Sequence, residues 1–161
     1  MEHFAHALAS GDALKITAGG LFLDKVHRTE FREFARGYRR LPGRKFETVG
    51  GSTDPVAVRQ LTVNGETFVY CVNREPYEAA VRLTFDREPE GVCLTDDKPF
   101  HGGEIRLGAY ELAAFKLAEN KVTAFRCEIA PETIEMLRQR LERALALPAL
   151  PPETAKTLRQ L

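Results

Sequence analysis

The side chains with chemical potential are four histidines, one adjacent carboxylate pair in the strand-rich region, three cysteines and a few aromatics. His3 and His6 stand three residues apart and share a face if residues 2–10 are helical. Such a pair can begin a metal site, but tetrahedral binding needs further donors that the neighbouring sequence does not offer. His101 precedes Gly102-Gly103 and reads as a loop-tip residue. The carboxylate pair is Asp96-Asp97. Two carboxylates can do acid–base work on a glycosidic bond when they face each other across roughly 5–10 Å. Neighbours in a turn before Lys98-Pro99 diverge instead, so a turn-forming role is expected. Tyr77, Phe100 and Tyr110 fall near strand ends and could stack on sugar rings. They are the candidate carbohydrate contacts, with core packing or hairpin pairing as the competing account.

Other chemistries leave no trace. There is no GxSxG elbow, P-loop, GxGxxG, HExxH or EF-hand loop, and no catalytic, cofactor-binding or metal-binding residue is assigned. Cys71, Cys93 and Cys127 are far apart inside apolar runs, which points to buried free thiols rather than zinc ligands or a disulfide framework. Lys plus Arg equals Asp plus Glu at 23 each, so no global positive field would attract nucleic acid. A local basic cluster, Arg36, Arg39, Arg40, Arg44 and Lys45, sits at and beyond the end of a predicted helix. There it complements the negative end of the helix dipole. No run approaches 18 consecutive apolar residues and no signal peptide opens the chain, so no membrane partner is expected and the compartment stays unassigned.

The elements that must position these residues fall into three regions: a helical segment over 1–50, strands over 51–130, and helices over 131–161. The spacing predicts a short helix over 2–10 ended by Gly11, an extended piece at 13–17 and a turn at Gly19-Gly20. A second helix runs from Thr29 to about Arg40, with Phe31, Phe34, Ala35, Tyr38 and Leu41 as a buried stripe. Nothing else in the first 46 residues is large enough to cover that stripe. Strands are predicted at 56–63, 67–73, 79–85, 91–95, 104–107, 110–117 and 122–129, the first two joined by an Asn64-Gly65 hairpin turn. About seven short strands with no helix between them mean a mainly β fold, an antiparallel β-sandwich or barrel with flanking α-helices. Pro131 opens a helix with Ile134, Leu137, Leu141 and Leu145 on one stripe, and a last helix after Pro151-Pro152 stops inside its pattern, as if the native chain continued.

Two stretches resemble a known family. Val56 to Tyr77, with Tyr70-Cys71-Val72-Asn73 at its centre, resembles the opening hairpin of the C-terminal β-sandwich domain in TIM-barrel glycoside hydrolases. Ile105 to Leu117 resembles the closing strands of that domain, where a Tyr-Glu-Leu corner, here Tyr110-Glu111-Leu112, feeds the last strand; Gly108-Ala109 stands where proline is common. Residues 3–42 resemble the last barrel segment running into the sandwich. The resemblance implies an antiparallel sandwich whose catalytic carboxylates lie upstream at barrel strand ends, so no catalytic residue transfers to this sequence. It further implies that the aromatic stripe packs on a barrel in the parent; alone, the stripe must lie on the sandwich or on a second copy. The expected function is a non-catalytic accessory domain whose partner is its own catalytic barrel. Alternatives are a carbohydrate-binding module and an interaction domain forming a homodimer through exposed helical stripes.

Overall fold

The structure, a computed structural model, describes residues 1–10, 28–50 and 54–146, without the side chains of Arg28 and Glu30. The expected Gly11 stop, the extended piece at 13–17, the Gly19-Gly20 turn, His27 and the helix after Pro151 lie outside the described residues. Two compact units result, Met1–Glu128 and Ile129–Leu161.

In the first unit, helices α1 (Glu2–Ala9) and α2 (Arg28–Arg39) precede nine strands. These are β1 (Glu47–Thr48), β2 (Val56–Val63), β3 (Glu66–Asn73), β4 (Ala79–Phe85), β5 (Gly91–Cys93), β6 (Pro99–Phe100), β7 (Glu104–Leu107), β8 (Leu112–Ala118) and β9 (Val122–Glu128). They form a six-stranded sheet in the order β1-β2-β3-β8-β5-β6 and a three-stranded sheet in the order β7-β4-β9, all pairs antiparallel. The fold is an antiparallel β-sandwich with flanking helices, as the strand spacing implies. All seven predicted strands are present; β1 and β6, two residues each at sheet edges, are additional. Pro99 suits the edge position of β6, where its missing N–H breaks no ladder.

The hairpin between β2 and β3 turns on Asn64 (φ 53°) and Gly65 (φ 82°), the two left-handed residues that a type I′ turn demands. That turn fixes the β2–β3 register, which pairs Val63 with Glu66 and Val56 with Asn73. Val56, Val58, Val69, Cys71, Phe115 and Leu117 then face Val81, Leu83, Leu107 and Val122 of the smaller sheet in one apolar cluster. The opposite face of the large sheet, Ala57, Tyr70, Val72, Leu94, Leu112 and Ala114, packs under α1 and α2 in a second cluster. Strand β3 is therefore covered on both sides, and Val69, Tyr70, Cys71 and Val72 are all fully buried. Two-sided burial explains why this strand reads as a continuous apolar run rather than an alternation.

The aromatic stripe of α2 finds its partners within the same unit. Phe34 and Leu41 are buried against the large sheet. Gly37 permits the approach: a Cβ there would stand 3.1 Å from Thr95 Oγ1 and 3.6 Å from the Ala114 methyl. Phe4 of α1 completes the cover, with ring centroids 5.7 Å from Phe31 and 6.0 Å from Phe34. The stripe thus lies on the sandwich, the first of the two places expected for it in this chain alone, and Phe4 of the short helix adds cover that the first 46 residues were not expected to supply. Helix α1 is held at its C-terminal end, where carbonyls lack helical partners. The Tyr70 hydroxyl donates to Leu8 O at 2.9 Å, and Arg59 Nη2 donates to Ala9 O at 2.5 Å.

In the second unit, α3 (Pro131–Leu145) begins with proline at a first-turn position, carries Glu132 in its first turn and Arg143 in its last. It has no buried residue, and Ile134 and Met136 are exposed.

Candidate functional site at the Asn73 corner

Strand β3 ends on Asn73, a fully buried amide. A buried amide must find partners for two donor hydrogens and its oxygen. Asn73 Nδ2 donates to Tyr77 O at 2.6 Å and Gly108 O at 2.9 Å, with Leu107 O more distant at 3.4 Å. Its Oδ1 accepts from Glu75 N at 3.0 Å, and its backbone N–H donates to Glu111 O at 2.9 Å. One side chain thus ties the β3–β4 loop to the β7–β8 corner.

The corner itself has a reciprocal turn. Gly108 N donates to the Glu111 carboxylate at 2.6 Å, and Glu111 N donates to Gly108 O at 3.2 Å. Between them Tyr110 takes a left-handed backbone, φ 58°, and its N–H donates to Glu75 O at 3.2 Å. An aromatic residue in that region is uncommon and is held only where its surroundings fix it. This turn also explains why β8 begins at Leu112 rather than at Tyr110.

Around this frame several polar side chains come close. Burial, then the negative charge of Asp54, pushes the Glu75 carboxyl above its ordinary range; Arg74 and His6 oppose the rise, and a hydrogen bond between the two carboxyls adds to it. The Tyr77 phenol is raised by burial and then by Glu75 and Asp54. The Tyr110 phenol is raised by burial and then by Glu2 and Glu75. Arg74 Nη1 lies 3.9 Å from Asp54 Oδ1. Beside the corner is a cleft of about 550 Å³ with Phe34 and Leu112 in its wall and Glu2, Glu33, Tyr110 and Glu111 also lining it. Chemically, this end of the sandwich offers carboxylates, phenols and aromatic faces to a ligand.

The candidate carbohydrate contacts are only partly brought together. Tyr77 and Tyr110 are half-buried on the two segments that Asn73 and Glu75 join. Phe100 is not with them. It is 8% exposed in the core between the sheets, with ring centroids 4.1 Å from Phe115 and 6.1 Å from Phe85. Because β6 pairs Phe100 with Gly91, its ring points inward, and Phe100 is withdrawn as a sugar-stacking residue. His6 lies near Glu75, whereas His3 and His101 are exposed. No group of three or more His, Cys, Asp or Glu able to hold a metal occurs among the described residues.

The Asp96-Asp97 pair serves the fold in two ways. Asp96 Oδ1 accepts from Lys98 N at 3.2 Å and its carboxylate pairs with Lys98 Nζ at 2.7 Å; these contacts, with Cys93, lower its pKa to about 2. Asp97 is left-handed at φ 64° and receives Arg40 and Arg36, each at 2.5 Å, so its carboxyl also lies below the usual range. Arg40 further donates to Leu94 O at 3.0 Å. Two members of the basic cluster therefore clamp α2 to the β5–β6 turn, beyond the helix-end role expected of them. The Asp54–Glu75 pair was missed for the same reason as this clamp: its members are distant in sequence, and no local pattern marks them.

Cys71 is buried and Cys93 and Cys127 half-buried, all as free thiols. Burial pushes the Cys71 and Cys127 thiols up, which makes them poor nucleophiles.

The class that the fold defines is an antiparallel β-sandwich flanked by helices. No family model and no curated protein matches the chain. Among solved structures it is similar to α-galactosidase I of Mortierella vinacea, at 12% identity over 51% of this chain and 25% of that one, TM-score 0.40. It is also similar to the trehalulose synthase of Pseudomonas mesoacidophila, at 18% identity over 45% of this chain and 14% of that one, TM-score 0.38. The chain thus spans a quarter or less of the length of these two structures.

Proposed function

We propose that this chain is a non-catalytic accessory β-sandwich domain of a glycoside hydrolase, giving structural support to the neighbouring catalytic barrel. The observation that carries the reading is the Asn73 corner. The two stretches that resemble the family, Val56–Tyr77 and Ile105–Leu117, are far apart in sequence and are joined there by Asn73, through its side chain to Gly108 O and its backbone N–H to Glu111 O. Residues from both stretches are engaged in holding the fold: Tyr70 anchors α1, Asn73 ties two loops, and Glu111 closes its turn.

The test is hydrolysis of a panel of 4-nitrophenyl glycosides by the purified chain. No turnover above the blank is expected. The sharpest contrary result would involve the carboxyl pair: turnover that disappears in Glu75→Gln or Asp54→Asn would make this a catalytic domain and end the accessory reading.

A further inference from the structure

We infer that Asn64 is a site of spontaneous covalent modification, at which the Gly65 amide nitrogen attacks the Asn64 carboxamide and converts the residue to isoaspartate and aspartate. The chain has three asparagines, Asn64, Asn73 and Asn120, and of these Asn64 alone precedes glycine. It is also the exposed one of the three. Asn73 and Asn120 are buried, with their side-chain amides donating to backbone carbonyls. The Asn64 side chain makes no hydrogen bond among the described residues. In a two-residue turn the ladder bonds belong to the flanking pair, here Val63 and Glu66, so the Gly65 N–H has no carbonyl partner among the described residues. Nothing lies within 4 Å of the place a Gly65 Cβ would take, and both turn residues border an open cleft of about 440 Å³ that admits water. Nucleophile, electrophile and water therefore meet at the hairpin tip, clear of the core.

The chemistry needs only hydroxide and water. Gly65 N gives its proton to hydroxide and forms a bond to Asn64 Cγ; the Cγ–Nδ2 bond breaks and ammonia leaves. Water then opens the cyclic imide at either carbonyl. Opening at Cγ gives aspartate, whereas opening at the main-chain carbonyl leaves Gly65 linked through the side chain, as isoaspartate. Ring closure swings the Asn64 backbone out of its turn conformation, which requires only the Val63–Glu66 end of the ladder to open. Such local openings cost far less than global unfolding. The two products differ in consequence. Aspartate adds a negative charge and tolerates the left-handed backbone that Asn64 holds at φ 53°. Isoaspartate puts Cβ into the main chain, and a type I′ turn has no room for an added backbone atom. The closure that sets the β2–β3 register is then lost at the tip. The contacts nearest to it, Thr62 Oγ1 to Thr67 Oγ1 at 3.1 Å and Lys116 Nζ to Glu66 at 2.8 Å, should loosen first.

The experiment is incubation of the folded full chain at mildly acidic and mildly alkaline pH, followed by peptide mapping and mass spectrometry. The peptide holding Asn64 should gain the mass of an –NH2 to –OH exchange, at a rate rising in proportion to hydroxide concentration. Peptides holding Asn73 and Asn120 should stay unchanged. The isoaspartate form, separated by ion exchange, should unfold at a lower urea midpoint than the parent. Asn64→Gly suits the left-handed turn and should abolish the mass gain, while Asn64→Asp, which adds the charge without the extra backbone atom, should keep the parent midpoint. Modification of the urea-unfolded chain with none in the folded chain would overturn the inference, because the turn would then protect Asn64. Earlier modification of Asn73 or Asn120, or an isoaspartate form that unfolds with the parent, would also overturn it. None of these outcomes bears on glycoside turnover, so the accessory-domain reading stands or falls separately.

Discussion

The Asn73 side-chain amide donates to the Gly108 carbonyl at 2.9 Å, across 35 residues of sequence. Because Asn73 is fully buried, no water can replace the bonds it makes. Asn73→Ala leaves the Tyr77 and Gly108 carbonyls and the Glu75 N–H short of a partner, and should cost about 2–3 kcal/mol in urea unfolding. Asn73→Asp places acceptors against two carbonyls and should cost at least as much at neutral pH.

Tyr70→Phe keeps the ring against Phe46, whose centroid is 5.0 Å away, and deletes the hydroxyl that donates to Leu8 O. The loss should be about 1–2 kcal/mol, since a buried helix-end carbonyl loses its side-chain donor. Hydrogen exchange would show the effect concentrated in α1, whose amides should open before those of β3.

Acid should weaken the α2 clamp. Asp96 and Asp97 both have folded-state pKa values below 3.8, that of Asp96 about 2. A depressed carboxyl contributes stability that is present above its unfolded pKa and lost as pH falls through its folded one. Unfolding midpoints should therefore drop between about pH 4 and pH 2, and Asp97→Asn should flatten that slope. Both groups are exposed, so the slope should be shallow and should shrink further in high salt.

Glu75 runs the other way. Its raised pKa means that the folded state prefers the protonated form, so stability falls as pH rises from about 4.5 through the folded pKa. Glu75→Gln keeps the backbone bonds to Asn73 and Tyr110 and removes the like charge facing Asp54. The variant should match or exceed the parent in stability at pH 7 and lose the pH dependence of that window.

Local pattern made much of this fold legible. The Asn64-Gly65 turn, the alternation of Val81, Leu83 and Phe85, and the α2 stripe each report on neighbours a few residues away. Which strand pairs with which does not show locally: β3 meets β8 and β5 meets β8 across long stretches of chain. The same non-locality hid the Arg40–Asp97 clamp and the Asp54–Glu75 contact. Phe100 was misread because its position near a strand end says nothing about which sheet face it takes. Asn73 was legible only as a motif letter; its burial emerges once both loops are in place.

The central claim is that the two family-like stretches act as one structural corner, and a double-mutant cycle between Asn73 and Glu111 tests it most directly. Glu111 holds Gly108 in the turn that presents its carbonyl to Asn73. Asn73→Ala and Glu111→Ala should therefore show a coupling energy of about 1 kcal/mol or more. Additivity within about 0.3–0.5 kcal/mol would contradict the account, because the two stretches would then be neighbours without a shared role.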